Sequence, residues 1–228
     1  MPRSSPLLLL LAFGLPAVAA PVETAEAVLA RMDQEAATFR DLTAKLKKAS
    51  FTAVLDETSQ ESGTIWLRRA GAKRVLMRVE FTEPDPRSVG LDGTTGQVYY
   101  PKIQTVQIYD LGKSSVLLDQ FSLLGFGTPR KELEKSYSIR AAGEETIDGR
   151  PATRLELTPK PAKVFEHVKK VELWIPLDAG HPVRQKFLQT GGDYYLITYS
   201  DLKLNPNLPE ATFKLALPKG VKREYPQK

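Results

Sequence analysis

Two histidines, His167 and His181, are the only imidazoles in a chain of 228 residues that contains no cysteine. A metal centre or a general base would draw first on such groups, held beside other imidazoles or carboxylates at ligand spacing. His167 stands in a lysine-rich stretch and His181 in a Gly180-His181-Pro182 turn, without a second imidazole or a suitably spaced carboxylate, so both read as surface residues. The carboxylates are scattered singly, and Glu144-Glu145 reads as flanking a strand end rather than as an acid and base pair. A Gly-rich phosphate loop, a G-x-S-x-G elbow and an H-E-x-x-H helix are all missing. The expectation is therefore a protein with no catalytic residues, no bound metal and no cofactor.

The missing cysteine removes more than a nucleophile. It excludes a disulfide framework and a thiolate metal site, and it leaves no residue for a lipid anchor at a processed N-terminus. Charge gives no sign of a nucleic-acid partner: 32 Lys and Arg stand against 27 Asp and Glu. The basic residues alternate with acids, as in Lys131-Glu132-Leu133-Glu134-Lys135, where a nucleic-acid binder would concentrate them in a stripe. Residues 1–19 read as a secretory signal, with Arg3 at the start, a short apolar run from Leu7 to Leu15, and Ala17-Val18-Ala19 as the small-residue cleavage site. That run is shorter than the roughly 20 apolar residues that span a bilayer. Residues 20–228 are expected to form one exported, soluble domain, monomeric and without a further membrane segment.

The elements that would position any site change character along the chain. From Thr24 to Lys48, Val28, Leu29, Met32, Ala36, Phe39, Leu42 and Leu46 recur at three- and four-residue steps, which predicts one long amphipathic helix. Thr24 is its expected N-cap, and Lys45, Lys47 and Lys48 fall in its last turn. Beyond it, short segments rich in Val, Ile, Tyr, Trp and Thr alternate with Gly, Asp and Pro, the pattern of an antiparallel β body that begins near Phe51 and ends with a strand over Thr212–Leu217. Asp148-Gly149 and Gly191-Gly192-Asp193 read as hairpin turns. Between Ser114 and Gly127 a crowded apolar stretch predicts a short helix ending at Gly125-Phe126-Gly127. It is either a core helix over one end of the sheet or a movable cover hinged at its glycines.

Several strands are apolar on both faces. In Tyr194-Tyr195-Leu196-Ile197-Thr198-Tyr199, large side chains fall at odd and even positions alike, so both sides of the sheet must meet something apolar. A closed or half-closed barrel holding one apolar ligand satisfies that pattern, and so does a two-layer sandwich without a cavity. The candidate lining of a cavity is Leu29, Met32 and Phe39 from the long helix, Trp66 from the sheet, and Val116, Leu117, Phe121, Leu124 and Phe126 from the apolar stretch.

The order of several motifs resembles the outer-membrane lipoprotein carrier (LolA) family. After the export signal come Val28-Leu29-Ala30-Arg31-Met32, then Gly63-Thr64-Ile65-Trp66-Leu67-Arg68-Arg69, then Leu91-Asp92-Gly93 leading to Val98-Tyr99-Tyr100-Pro101. Leu155-Glu156-Leu157-Thr158-Pro159-Lys160 and Phe213-Lys214-Leu215-Ala216-Leu217-Pro218-Lys219-Gly220-Val221 complete the likeness, which covers nearly the whole mature chain. The resemblance implies a mainly β fold with helices: a half-open antiparallel barrel of about eleven strands covered by the long N-terminal helix and a short apolar lid helix. It also implies a periplasmic carrier that binds the acyl chains of lipoproteins and moves them from the inner to the outer membrane. The implied partners are an inner-membrane release complex and an outer-membrane acceptor. The family's lid-latching arginine falls on Arg69, followed here by Ala70 in place of the usual proline, with Arg68 as the neighbouring candidate. An arginine at a strand end can donate up to five hydrogen bonds, and free carbonyls at a helix end suit them. The alternatives are a carrier of another lipid, such as a glycolipid or hopanoid, and a lipoprotein-sensing interaction module. The chain ends soon after the family's terminal strand, which favours a carrier over a multidomain sensor.

Overall fold

The computed structural model describes residues 23–71, 74–112 and 124–227. The expected signal segment 1–19 and most of the expected apolar helix, including Val116, Leu117 and Phe121, lie outside those residues.

The N-terminal helix α1 (Ala25–Thr38) starts where the sequence places it, with Thr24 Oγ1 accepting from Ala27 N at 3.3 Å. It buries Val28, Leu29 and Met32 on one stripe. It does not run to Lys48. The chain leaves the helix at Phe39 and re-enters as strand β1 (Asp41–Thr52), so Lys45, Lys47 and Lys48 cap no helix. The cause is an ambiguity of period: Leu42 and Leu46 share a face at a four-residue step in a helix and in a strand alike. Buried Ala44 between them, with Thr43, Lys45 and Lys47 at the intervening positions, identifies the strand.

The remaining strands are β2 (Glu57–Arg69), β3 (Val75–Glu83), β4 (Arg87–Asp92), β5 (Thr95–Tyr100), β6 (Thr105–Asp110), β7 (Tyr137–Ile147), β8 (Arg150–Pro159), β9 (Val168–Pro176), β10 (Arg184–Gln189), β11 (Tyr194–Leu204) and β12 (Lys222–Glu224). They form one 12-stranded sheet in the order β12-β6-β5-β4-β3-β2-β1-β11-β10-β9-β8-β7. Eleven of them make the expected antiparallel body; the three-residue β12 adds to β6 in parallel. The sheet stays open, with β12 and β7 as its two edges. The hairpin at Asp148-Gly149 has both residues at positive φ, 48° and 81°, as a two-residue turn of matching twist requires.

The expected strand at Thr212–Leu217 is absent. Glu210–Phe213 forms a 3-10 turn, and residues 214–221 cross the outer face of the sheet without joining a ladder before β12 begins. Prolines at 209 and 218 limit this stretch as a strand, because proline has no N–H to donate. Its side chains dock instead: Phe213 lies under the Arg68 guanidinium at 4.9 Å, and Leu215 packs on Gly90.

The inner face carries two apolar clusters. Over β7–β9, α1 and the short helix α2 (Arg130–Ser136) pack Val28, Leu29, Met32 and Leu133 onto Leu155, Leu157, Val171, Leu173 and Ile175. Helix α1 is fastened there by polar bonds as well. Arg31 donates to the carbonyls of Ala179 and Pro176 at 3.0 and 3.1 Å, and Glu35 Oε1 pairs with His181 Nδ1 at 2.8 Å. His181 is thus a half-buried partner of the helix and not the surface residue that its turn suggests. The second cluster, on β1–β3 with Tyr199 of β11, is left uncovered by α1.

Candidate functional site

Where the inner face is not covered by α1, large side chains have no partner across from them among the described residues, and a cavity of about 580 Å³ results. That is within the range of roughly 300–1,000 Å³ usual for sites that hold small molecules. Its wall is built from alternate positions of successive strands: Leu42 and Leu46 of β1, Ile65 and Leu67 of β2, Met77, Val79 and Phe81 of β3, Val89 of β4, Phe187 of β10, and Tyr195, Ile197 and Tyr199 of β11. Direct cross-strand partners share a face, and the register pairs Leu46 with Tyr199, Lys48 with Ile197, Ile65 with Val79 and Val79 with Val89. Val89 of β4 and Val168 of β9 line one space although six strand spacings separate them. On a flat sheet that would be about 29 Å at 4.8 Å per strand. The sheet must therefore curl around the cavity.

Of the expected lining, the structure brings only part together. Leu124 and Phe126 line the cavity, Phe126 meeting the Tyr199 ring edge-on at 5.3 Å. Leu29 and Met32 are buried under α1 against β7–β9, away from the lining. Phe39 is buried in the second cluster at the end of α1 and packs on Gly127. Trp66 is a correction: its neighbours Ile65 and Leu67 face the cavity, so by alternation it faces outward, where Arg78 lies 5.1 Å over its ring.

Residues 124–127 are held at the carbonyls of Leu124 and Gly127. Arg69 Nη2 donates to Gly127 O at 2.5 Å, and Gln185 Nε2 donates to Leu124 O at 2.6 Å. Gln185 is 4% exposed, and its Oε1 accepts from the Tyr199 hydroxyl at 2.8 Å. Burial pushes the Tyr199 phenol well above its ordinary pKa, so it remains a donor. Arg69 Nε is buried and has no acceptor among the described residues. Arg68 points the other way, donating from Nη2 to Asp41 Oδ2 at 2.8 Å and to the carbonyl of Leu208. Alternation along β2 thus separates the two arginines: Arg69 meets the segment beside the cavity, and Arg68 meets the C-terminal stretch outside.

Sequence reasoning missed the polar members of the wall. Lys48, Gln185, Gln189 and Tyr199 line the cavity with His167. Lys48 has the same parity as Leu42 and Leu46, a signal available only once that stretch is read as a strand. Glu61 lies in the polar first half of β2, which lacks the β-branched density that announces a strand. Among the described residues there is no group of three or more His, Asp and Glu that could hold a metal ion.

A family model described as "Outer membrane lipoprotein carrier protein LolA" matches residues 37–216. An outer-membrane lipoprotein carrier protein of Dechloromonas aromatica (strain RCB) is 28% identical over 183 residues, which covers 80% of each chain. Among solved structures, an uncharacterized conserved protein from Thermus thermophilus superposes with a TM-score of 0.54 at 17% identity, over 88% of this chain and 98% of that one. MucB superposes with a TM-score of 0.50 at 19% identity, over 84% of this chain and 62% of that one. At these identities the two structures speak to the fold alone.

Proposed function

The chain belongs to the outer-membrane lipoprotein carrier (LolA) family, and from that premise we propose that it is a periplasmic, non-catalytic carrier that takes the acyl chains of lipoproteins into its cavity. It receives them from an inner-membrane release complex and gives them to an outer-membrane acceptor. The observation that carries this reading is the apolar cavity of about 580 Å³ beside a segment that Arg69 and Gln185 hold at the carbonyls of Gly127 and Leu124.

Energetics argue for that combination. Burying one sixteen-carbon chain completely is worth up to about 12 kcal/mol, at roughly 0.8 per methylene. A carrier that bound so tightly would not let go. A closed empty state, in which Arg69 and Gln185 hold the segment at Gly127 and Leu124, competes with the ligand and makes release possible. Arg69 is the latch in this proposal, and the fixed helix α1 is the frame against which the latched segment moves.

Two measurements test it. A triacylated lipopeptide should displace an environment-sensitive dye from the delipidated protein; a cavity that takes up neither dye nor lipopeptide would end the carrier reading. Arg69→Leu removes a hydrogen bond to a charged donor, worth about 1.5–3 kcal/mol. It should slow transfer of bound lipopeptide to acceptor vesicles by about tenfold or more, and transfer at the wild-type rate would remove Arg69 from the role.

A further inference from the structure

The latch stands at one end of the cavity and a group of charges at the other. Lys48 on β1 pairs across the ladder with Glu61 on β2, and Arg87 on β4 pairs with Phe81 on β3. Because Lys48 and Phe81 line the cavity, Glu61 and Arg87 lie on the same inner face. Lys48 Nζ is 3.2 Å from Glu61 Oε2, and Arg87 Nη1 is 2.5 Å from Glu61 Oε1. The three side chains are 24%, 15% and 21% exposed. Each cation also lies over an aromatic ring of the wall, Lys48 over Tyr195 at 4.8 Å and Arg87 over Phe81 at 4.2 Å. Desolvation works to raise the Glu61 pKa, but the Arg87 hydrogen bond and the Lys48 charge outweigh it and hold the carboxylate ionised. Among the described residues of the inner wall, two cations thus share the single Glu61 carboxylate, which leaves one positive charge in excess where a buried hydrocarbon chain would end.

An apolar wall has no use for an excess charge unless something negative meets it. Resting on the reading that the cavity holds an acyl chain, we propose that Lys48, with Arg87 behind it, binds an anionic head on the lipid, a carboxylate or a phosphate. The bound class is then an acidic amphiphile and not only a neutral acyl ester. Lys48 supplies the direct contact because it lines the cavity; Glu61 keeps Arg87 in place and leaves Lys48 a second partner when the site is empty.

The test is competition against an environment-sensitive dye bound to the delipidated full chain, with three twelve-carbon ligands: dodecanoate, dodecyl phosphate and dodecanol. Wild type should bind one or both anions about tenfold or more tighter than the alcohol, as a charged hydrogen bond allows. Preference for only the carboxylate or only the phosphate supports the site and assigns its head group. Lys48→Met should abolish the preference for the anions over dodecanol, and Lys48→Arg should retain it. Equal affinities for all three ligands in wild type, or a preference that survives Lys48→Met, would overturn the proposal. A triacylated lipopeptide included as a fourth ligand separates the two readings: if it binds while the anions gain nothing over dodecanol, the anionic site alone falls. If none of the four displaces the dye, the carrier reading falls with it.

Discussion

Gly127 meets two demands at once. Its φ is +67°, and a methyl group there would stand 2.3 Å from Phe39 Cδ1. The left-handed backbone alone costs a residue with a β-carbon about 1–2 kcal/mol, and the contact adds to it. Gly127→Ala should therefore destabilise the protein by at least about 2 kcal/mol, lowering the thermal midpoint by roughly 4–8 °C in a melting experiment. The same substitution shifts the carbonyl that Arg69 holds, so residue-scale strain and the proposed latch are coupled. This coupling is half legible in the sequence. The glycine pair suggests a hinge and the strand motif singles out Arg69, but the contact between them joins residues 58 positions apart. Gln185 is invisible for the same reason: an amide in a strand reads as a surface residue until Leu124 O and the Tyr199 hydroxyl close around it.

At the scale of elements, the junction from α1 to β1 departs furthest from sequence expectation, and Asn205 makes it. Its Oδ1 accepts from Arg40 N at 2.7 Å and Asp41 N at 3.3 Å, and its Nδ2 donates to Thr38 O at 3.0 Å. A residue 165 positions further along thus ends the helix and starts the strand, while itself at φ +53°, a conformation asparagine tolerates well. Asn205→Ala removes these bonds from a partly exposed turn and should cost about 1–2 kcal/mol, read as a lower denaturant midpoint with an unchanged slope. No local propensity could foretell a boundary set from so far away, which is why the apolar period carries the expected helix on to Lys48 when the real one stops at Thr38. The hairpins fare better because their turns carry their own instructions in Asp148-Gly149 and Gly192. The outer C-terminal stretch does not: its alternating apolar residues look like a strand, yet they serve as single plugs against Arg68 and Gly90.

For the whole molecule, ion pairs tie strands that are distant in sequence, and their carboxylates titrate accordingly. Glu23, Glu61 and Glu156 are each raised by burial and lowered more by their cationic or hydroxyl partners, and Asp92 is lowered chiefly by its Arg74 hydrogen bonds. A carboxyl depressed in the folded state stabilises above its unfolded pKa, near 4, and loses that contribution as pH falls through the folded value. The thermal midpoint should stay level from neutral pH to about 5 and fall steadily below about 4; a midpoint that rises on acidification would contradict these pairings. The global architecture is the most legible level of all, because alternation with apolar residues on both faces already requires something oily on each side. What alternation cannot state is whether the sheet's ends meet. They do not: among the described residues β7 and β12 each have a ladder partner on one side alone. The girth of the wall is consequently set by curvature and not by a closed ring of hydrogen bonds, so on the proposed carrier reading a slight unrolling along that seam would admit a bulkier or branched tail without parting any strands. On that reading capacity is elastic, and cargos of different chain number should alter the radius of the protein before they exhaust its space.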